Sequence, residues 1–131
     1  MKRTLLLSLL AAFTFAGTIL ASAEDTRFVS FGAGVRSCGT WTETRRSGNT
    51  TTTEYYQQWV AGFLSATNMF TARNNKIGNI DILAQPNIDT QGLWAWVDNY
   101  CIANPLDTVT DAADALGADL VGRAWATKKA K

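Results

Sequence analysis

The stretch Gly92–Leu120, GLWAWVDNYCIANPLDTVTDAADALGADL, decides the fold. Asp89 or Thr90, just ahead of it, can cap a helix, because a short polar side chain accepts a bond from the free N–H groups of a first turn. Leu93, Val97, Tyr100 and Cys101 then recur at helical spacing on one face. Trp94 and Trp96 lie about 80° either side of that stripe at about 100° per residue. A helix so broadly apolar needs neighbours on more than one side. Asn104-Pro105 breaks it. Proline disfavours helix in the residue before it and suits the first position of a new one. Asn104 is therefore the expected N-cap of a second helix, with Asp107 in its first turn, near the positive end of the dipole. Leu106, Val109, Ala113, Leu116, Leu120 and Ala124 form its apolar stripe, and Asp107, Asp111 and Asp114 share another face. The pattern predicts a helical hairpin with one buried side and one acidic side.

Working outward, residues 1–23 read as a cleavable signal peptide. Lys2 and Arg3 give the positive start, Leu5–Leu20 is mostly apolar, and Ala21-Ser22-Ala23 supplies small residues for cleavage. The expected mature chain, 24–131, keeps 10 basic and 11 acidic residues of the original 12 and 11, a net of −1. That net charge implies no strong attraction to nucleic acid or an anionic membrane. A chain of this length is one domain with one modest core. Cys38 and Cys101 both remain, and an even pair in an exported protein predicts a disulfide. With no histidine and two thiols, a metal site is not expected. The wide cysteine spacing is not that of a C-x-x-C redox pair.

Upstream of the central stretch, Glu24–Val35 reads as an irregular arm, with a short strand conceivable at Phe28–Phe31 and its aromatic residues lying over the helices. Ser37 is placed to cap a short helix through Arg46, with Cys38, Trp41 and Arg45 on adjacent turns. Ser47–Thr53 reads as a surface loop. Glu54–Arg73 is a helix whose Tyr56, Trp59, Val60, Phe63, Thr67 and Phe70 share one face, opposite Gln58, Ser65 and Asn68. Gly62 and Ala66, four apart, hint at a close backbone approach. Asn74–Asp89 is rich in turn formers and reads as a long connection anchored by Ile80, Ile82 and Leu83. The last helix should fray after Trp125 into the basic tail Lys128-Lys129-Ala130-Lys131. Trp41, Trp59, Trp94, Trp96 and Trp125 are the main core candidates.

Chemistry is sparse. Without histidine the ordinary serine or cysteine triad has no base, and no Gly-rich phosphate loop is present. A carboxylate pair would suffice for a small hydrolase, but the acids are mostly aspartates on expected helix surfaces. Between Lys76 and Arg123 no basic residue occurs, while Asp81, Asp89, Asp98, Asp107, Asp111, Asp114 and Asp119 all fall there. This is either a solvated face, an acidic surface for a basic partner, or an acid-sensitive patch centred on Asp107, Asp111 and Asp114. Any acid switch must use carboxylates, whose reference pKa values lie near 4. Protonating all 11 would carry the mature net charge from −1 to +10, enough repulsion to loosen the fold or a dimer. Tyr55 and Met69, at the margin of the Trp59 helix, together with Trp94 and Trp96, are the candidate partner-binding or dimer surface.

A cysteine followed closely by Asn-Pro and a helix, an earlier partner cysteine, an aromatic-Gly helix between them and a signal peptide resemble the small periplasmic HdeA/HdeB acid-stress chaperones. Cys38, and Cys101 within YCIANP, match that family's disulfide pattern, and the resemblance spans Ser37–Leu120. It implies a helical dimer at neutral pH that exposes apolar surface in acid and holds unfolding clients. A weaker resemblance, carried by Trp59–Thr67, Asn104-Pro105 and the Ala-rich final helix, is to Tai-type immunity proteins of type VI secretion, which block a cell-wall amidase. No inhibitory residue carries over from it.

The resulting expectation is an all-α protein: a small three- to four-helix domain over 24–131 with one disulfide, preceded by a signal peptide. It is expected to be periplasmic or secreted and not an enzyme. No cofactor, metal, nucleic-acid partner or stable membrane insertion is foreseen. Its partners would be a protein or unfolded clients, and a homodimer is open.

Overall fold

The computed structural model describes residues 28–130. The expected signal peptide lies outside the described residues. Each α-helix begins where a short polar side chain receives a free N–H. Ser37 accepts from the Thr40 N–H ahead of α1, Cys38–Ser47. Asn49 does the same for α2, Thr50–Arg73. Asp89 accepts from Gly92 at 2.7 Å ahead of α3, Thr90–Ala103. Thr108 and Asp111 form a reciprocal capping box at the head of α4, Val109–Lys129. Such caps stabilise a helix by about 1 kcal/mol each. Short 3-10 turns occupy Gly32–Val35 and Asn75–Ile77. No strand is present among the described residues, Phe28–Phe31 included.

The Asn104-Pro105 break is real, but it acts differently from the sequence expectation. Asn104 closes α3: its backbone and side-chain N–H groups both donate to the Tyr100 carbonyl, at 2.9 and 3.0 Å. Pro105–Asp107 is a turn, and α4 waits for the Thr108–Asp111 box, which satisfies two donors at once. Leu106, expected on the buried stripe, is therefore 93% exposed. Ser47–Thr53 is likewise mostly helix. A left-handed Gly48 (φ 70°) ends α1, and Asn49 caps α2 at once. The polar threonines that look like a loop in sequence form the first turn of a helix instead.

Three layers of contact make the core. α1 packs on α3 and α2, α3 on α4, and α2 on α4 and the Gly32–Val35 turn. Trp41, Val60, Leu64, Ile82, Val97, Val109 and Leu116 are fully buried, with Trp94 and Ile80 beside them. Trp59, Trp96 and Trp125 pack partly buried against that core. The close approach expected at Gly62 is absent; a methyl there would meet nothing within 4 Å. It occurs instead at Gly34, where a Cβ would collide with the Trp59 ring and the Thr110 hydroxyl. Phe70 points to solvent rather than inward. Asn68, expected on the wet side, accepts the Ile82 N–H at 2.8 Å and fastens the long connection to α2. Gln85 ties the same connection to α4 by donating to the Leu120 carbonyl at 3.0 Å. The last helix does not fray at Trp125 but continues to Lys129.

Candidate protein-binding surface

The α1–α3 contact is the most heavily joined place in the molecule. The Cys38–Cys101 disulfide links the two helices, Cα to Cα 4.6 Å, across 63 residues of sequence. One turn along, Asp98 receives the Trp41 indole N–H at 2.7 Å. The Arg45 guanidinium grips the same carboxylate with Nε at 3.0 Å and Nη2 at 2.8 Å. Hydrogen bonding to Asp98 raises the Arg45 pKa, against the opposing effect of burial. Cys38, Trp41 and Arg45 do fall on adjacent turns as the sequence suggests, and what they meet is Cys101 and Asp98. A shallow cavity of ≈ 310 Å³ opens beside them, lined by Thr42, Arg45, Arg46, Asp98 and Ile102. Both Asp98 oxygens are engaged, so the group works as a clamp between helices.

At the end of α3 a backbone seam completes the joint. Ser37 and Thr108 form one antiparallel bridge. Around it, Cys38 N–H donates to the Asp107 carbonyl at 2.7 Å, and Val109 N–H to Arg36 at 2.9 Å. The Tyr100 hydroxyl donates to Asp107 at 2.8 Å. Burial first, then that hydrogen bond, then the charges of Asp107, Asp111 and Asp114 push the Tyr100 pKa up to about 12. The Tyr100 phenol thus feels the charge of all three aspartates of the candidate acid-sensitive patch and bonds to one of them, Asp107. Asp107 sits in the turn and Asp111 in the capping box, so two of the three hold structure.

The four residues expected to form a partner surface do not come together. Trp94 is 6% exposed and belongs to the core, because α3 packs on both α1 and α4. Trp96 is half-buried and stacks on Tyr100, centroids 5.7 Å apart. Tyr55 and Met69 are more than half exposed, but lie at opposite ends of α2. Around Tyr55 the structure builds a different surface. The Trp59 indole N–H donates to the Phe31 carbonyl at 2.7 Å. Trp59 stacks on Phe63 at 5.7 Å, and Phe28 lies 6.4 Å from Phe63. Phe28, Val29, Phe31, Val35 and Tyr55 all stand more than half exposed along this ridge. The sequence signal was the aromatic arm itself, read as cover for the helices, which it provides for Trp59 while remaining uncovered on its outer side.

Among the described residues, no three His, Cys, Asp or Glu side chains are placed to hold a metal. No helix there is long and apolar enough to cross a membrane. Compared with known proteins, the chain matches no family model, no curated protein and no solved structure.

Proposed function

We propose that this is an exported, periplasmic, non-enzymatic protein that holds unfolding clients in acid, in the manner of the HdeA/HdeB chaperones it resembles in sequence. One observation carries the reading: Asp98 closes α1 on α3, Asp107 ties Tyr100 of α3 to the turn before α4, and Asp111 completes the cap of α4, in a chain without histidine. Protonating all 11 acidic groups of the expected mature chain carries its net charge from −1 to +10, and that repulsion works against the joints acid has discharged. The disulfide keeps α1 and α3 joined throughout, so loosening frees α2 and the aromatic arm without unravelling the chain. A disulfide also fits the oxidising compartment this reading requires.

The test is dye-reported apolar exposure together with aggregation of a client protein, from pH 7 to pH 2, on the oxidised protein. Reversible exposure with client protection in acid is expected. A protein that stays compact and protects nothing at pH 2 removes the reading. The aromatic ridge favours a second one: apolar surface exposed in the folded state suits a standing partner, as in an immunity protein. That reading predicts one tight stoichiometric complex at neutral pH, lost in Phe31→Ser.

A further inference from the structure

We infer that the end of the molecule where α2 and α4 both terminate is a docking surface for an anionic phospholipid bilayer. This inference is independent of the chaperone reading. The chain's near-zero net charge conceals a strong local asymmetry. Arg73 ends α2, Lys76 lies in the following 3-10 turn, and Lys128 and Lys129 end α4. The Lys128 ammonium donates to the Gly78 carbonyl at 2.6 Å, which brings the two pairs of cations to one end although 50 residues separate them. All four side chains are exposed. Cations at helix C-termini complement the dipole, and that accounts for Arg73, Lys128 and Lys129. It does not account for Lys76, nor for the two large apolar side chains that lie beside Arg73.

Met69 and Phe70 are 53% and 63% exposed on the last turns of α2. With Arg73, Asn74 and Asn75 they line a shallow depression of ≈ 400 Å³. A duplex nucleic acid, whose bases are stacked within the helix, would use the cations and gain little from an aliphatic thioether and a phenyl ring held in water. A bilayer of anionic lipid uses both, since phosphates meet the ammonium and guanidinium groups while the apolar tips enter the headgroup boundary. No helix inserts; contact is peripheral and electrostatic, and therefore weakened by salt.

The measurement is co-sedimentation of the oxidised protein, recovered from an exporting host and with its leader shown by mass to be absent, with vesicles at pH 7. Vesicles of phosphatidylethanolamine with one-third phosphatidylglycerol are compared with pure phosphatidylcholine. Binding to the first, absent from the second and reduced by salt, is expected. Neutralising one cation, Lys76→Gln or Lys129→Gln, should weaken partition roughly fivefold each. Phe70→Ser, which leaves the charge untouched, should weaken it roughly tenfold. These side chains are exposed, and circular dichroism checks that each variant is folded. Equal sedimentation with both vesicle types overturns the inference, as does binding indifferent to Phe70→Ser. Tighter binding to an oligonucleotide, single- or double-stranded, than to the anionic vesicles overturns the inference and assigns the surface to a polyanion instead.

Discussion

The two ends of α4 are built on opposite plans. At its N-terminal end Asp107 accepts from Tyr100, and a backbone bridge and a capping box fasten the head of the helix, beside the disulfide and the charged clamp that join α1 to α3. At its C-terminal end Lys128 and Lys129 meet the turn after α2 through one exposed bond to a carbonyl. The acidic end is ordered by what its charges hold. The basic end leaves its charges free to meet something else. One helix dipole suits both arrangements, favouring anions at its start and cations at its close. The difference lies in the number of hydrogen-bonded partners, several at the first end against the one bond of Lys128 at the second.

Cutting the disulfide beside the first end should have the largest effect. Reducing Cys38–Cys101 frees a loop that spans 63 residues of sequence in the unfolded chain, and in the chain-entropy account that costs about 4 kcal/mol. Chemical denaturation with and without reductant measures it. A loss below about 1 kcal/mol would mean that the seam and clamp hold the acidic end unaided. Next is the clamp. Asp98→Ala removes the acceptor of both Trp41 and Arg45 and should cost about 2–3 kcal/mol, the scale for stranding partly buried donors, one of them charged. Arg45→Ala added to it should cost little more, because the two act on one interaction. Simple additivity of the pair would show that Asp98 and Arg45 stabilise separately.

Much of this contrast was legible before any coordinates, and the remainder was not for identifiable reasons. The helices, the cysteine pairing and the anchoring of Ile80 and Ile82 follow from periodicity and compartment, signals spread over many residues. The start of α4 turned on one competition, Asn104-Pro105 against Thr108-x-x-Asp111, and the capping box prevailed because it satisfies donors that a lone Asn cap leaves open. Trp94 stands in the sequence both among the core candidates and on the candidate partner surface. It is buried because α3 has two neighbours, which its own broad apolar face had already implied. Asp98 was lost among seven acids. Yet it lies one turn from both Trp94 and Cys101, and Arg45 one turn beyond Trp41, so an acid on the flank of a buried stripe was the available clue. The basic end is invisible for a plainer reason: the turn that follows Arg73 and Lys76 meets Lys128 only through tertiary contact, at Gly78.

The alkaline limb sharpens the comparison further. The folded pKa of Tyr100 is raised to about 12 from an ordinary 10.0, so the folded state favours the protonated phenol. The stability this contributes is complete below about pH 10 and disappears as pH rises through the folded value. Absorbance at the phenolate band should therefore show one of the three tyrosines ionising late. Tyr100→Phe should remove that late step, flatten the stability loss above pH 10, and cost about 1 kcal/mol at neutral pH through the missing bond to Asp107. Early ionisation of all three would place Tyr100 in water, away from the aspartates.

The smallest effect is expected at the other end. Lys128→Met deletes the bond to Gly78 but keeps an alkyl chain to lie against Trp125, whose ring the ammonium overhangs at 5.9 Å. Exposed single bonds of this kind contribute little, and the change should stay within about 0.5 kcal/mol. A thermal melt alongside the wild type decides it. If Lys128→Met cost as much as Asp98→Ala, the basic end would be a structural joint like the acidic one. Its cations would then be committed to the fold rather than held for a ligand. A near-zero cost keeps the asymmetry intact, with one end of α4 stabilising the protein and the other available for recognition.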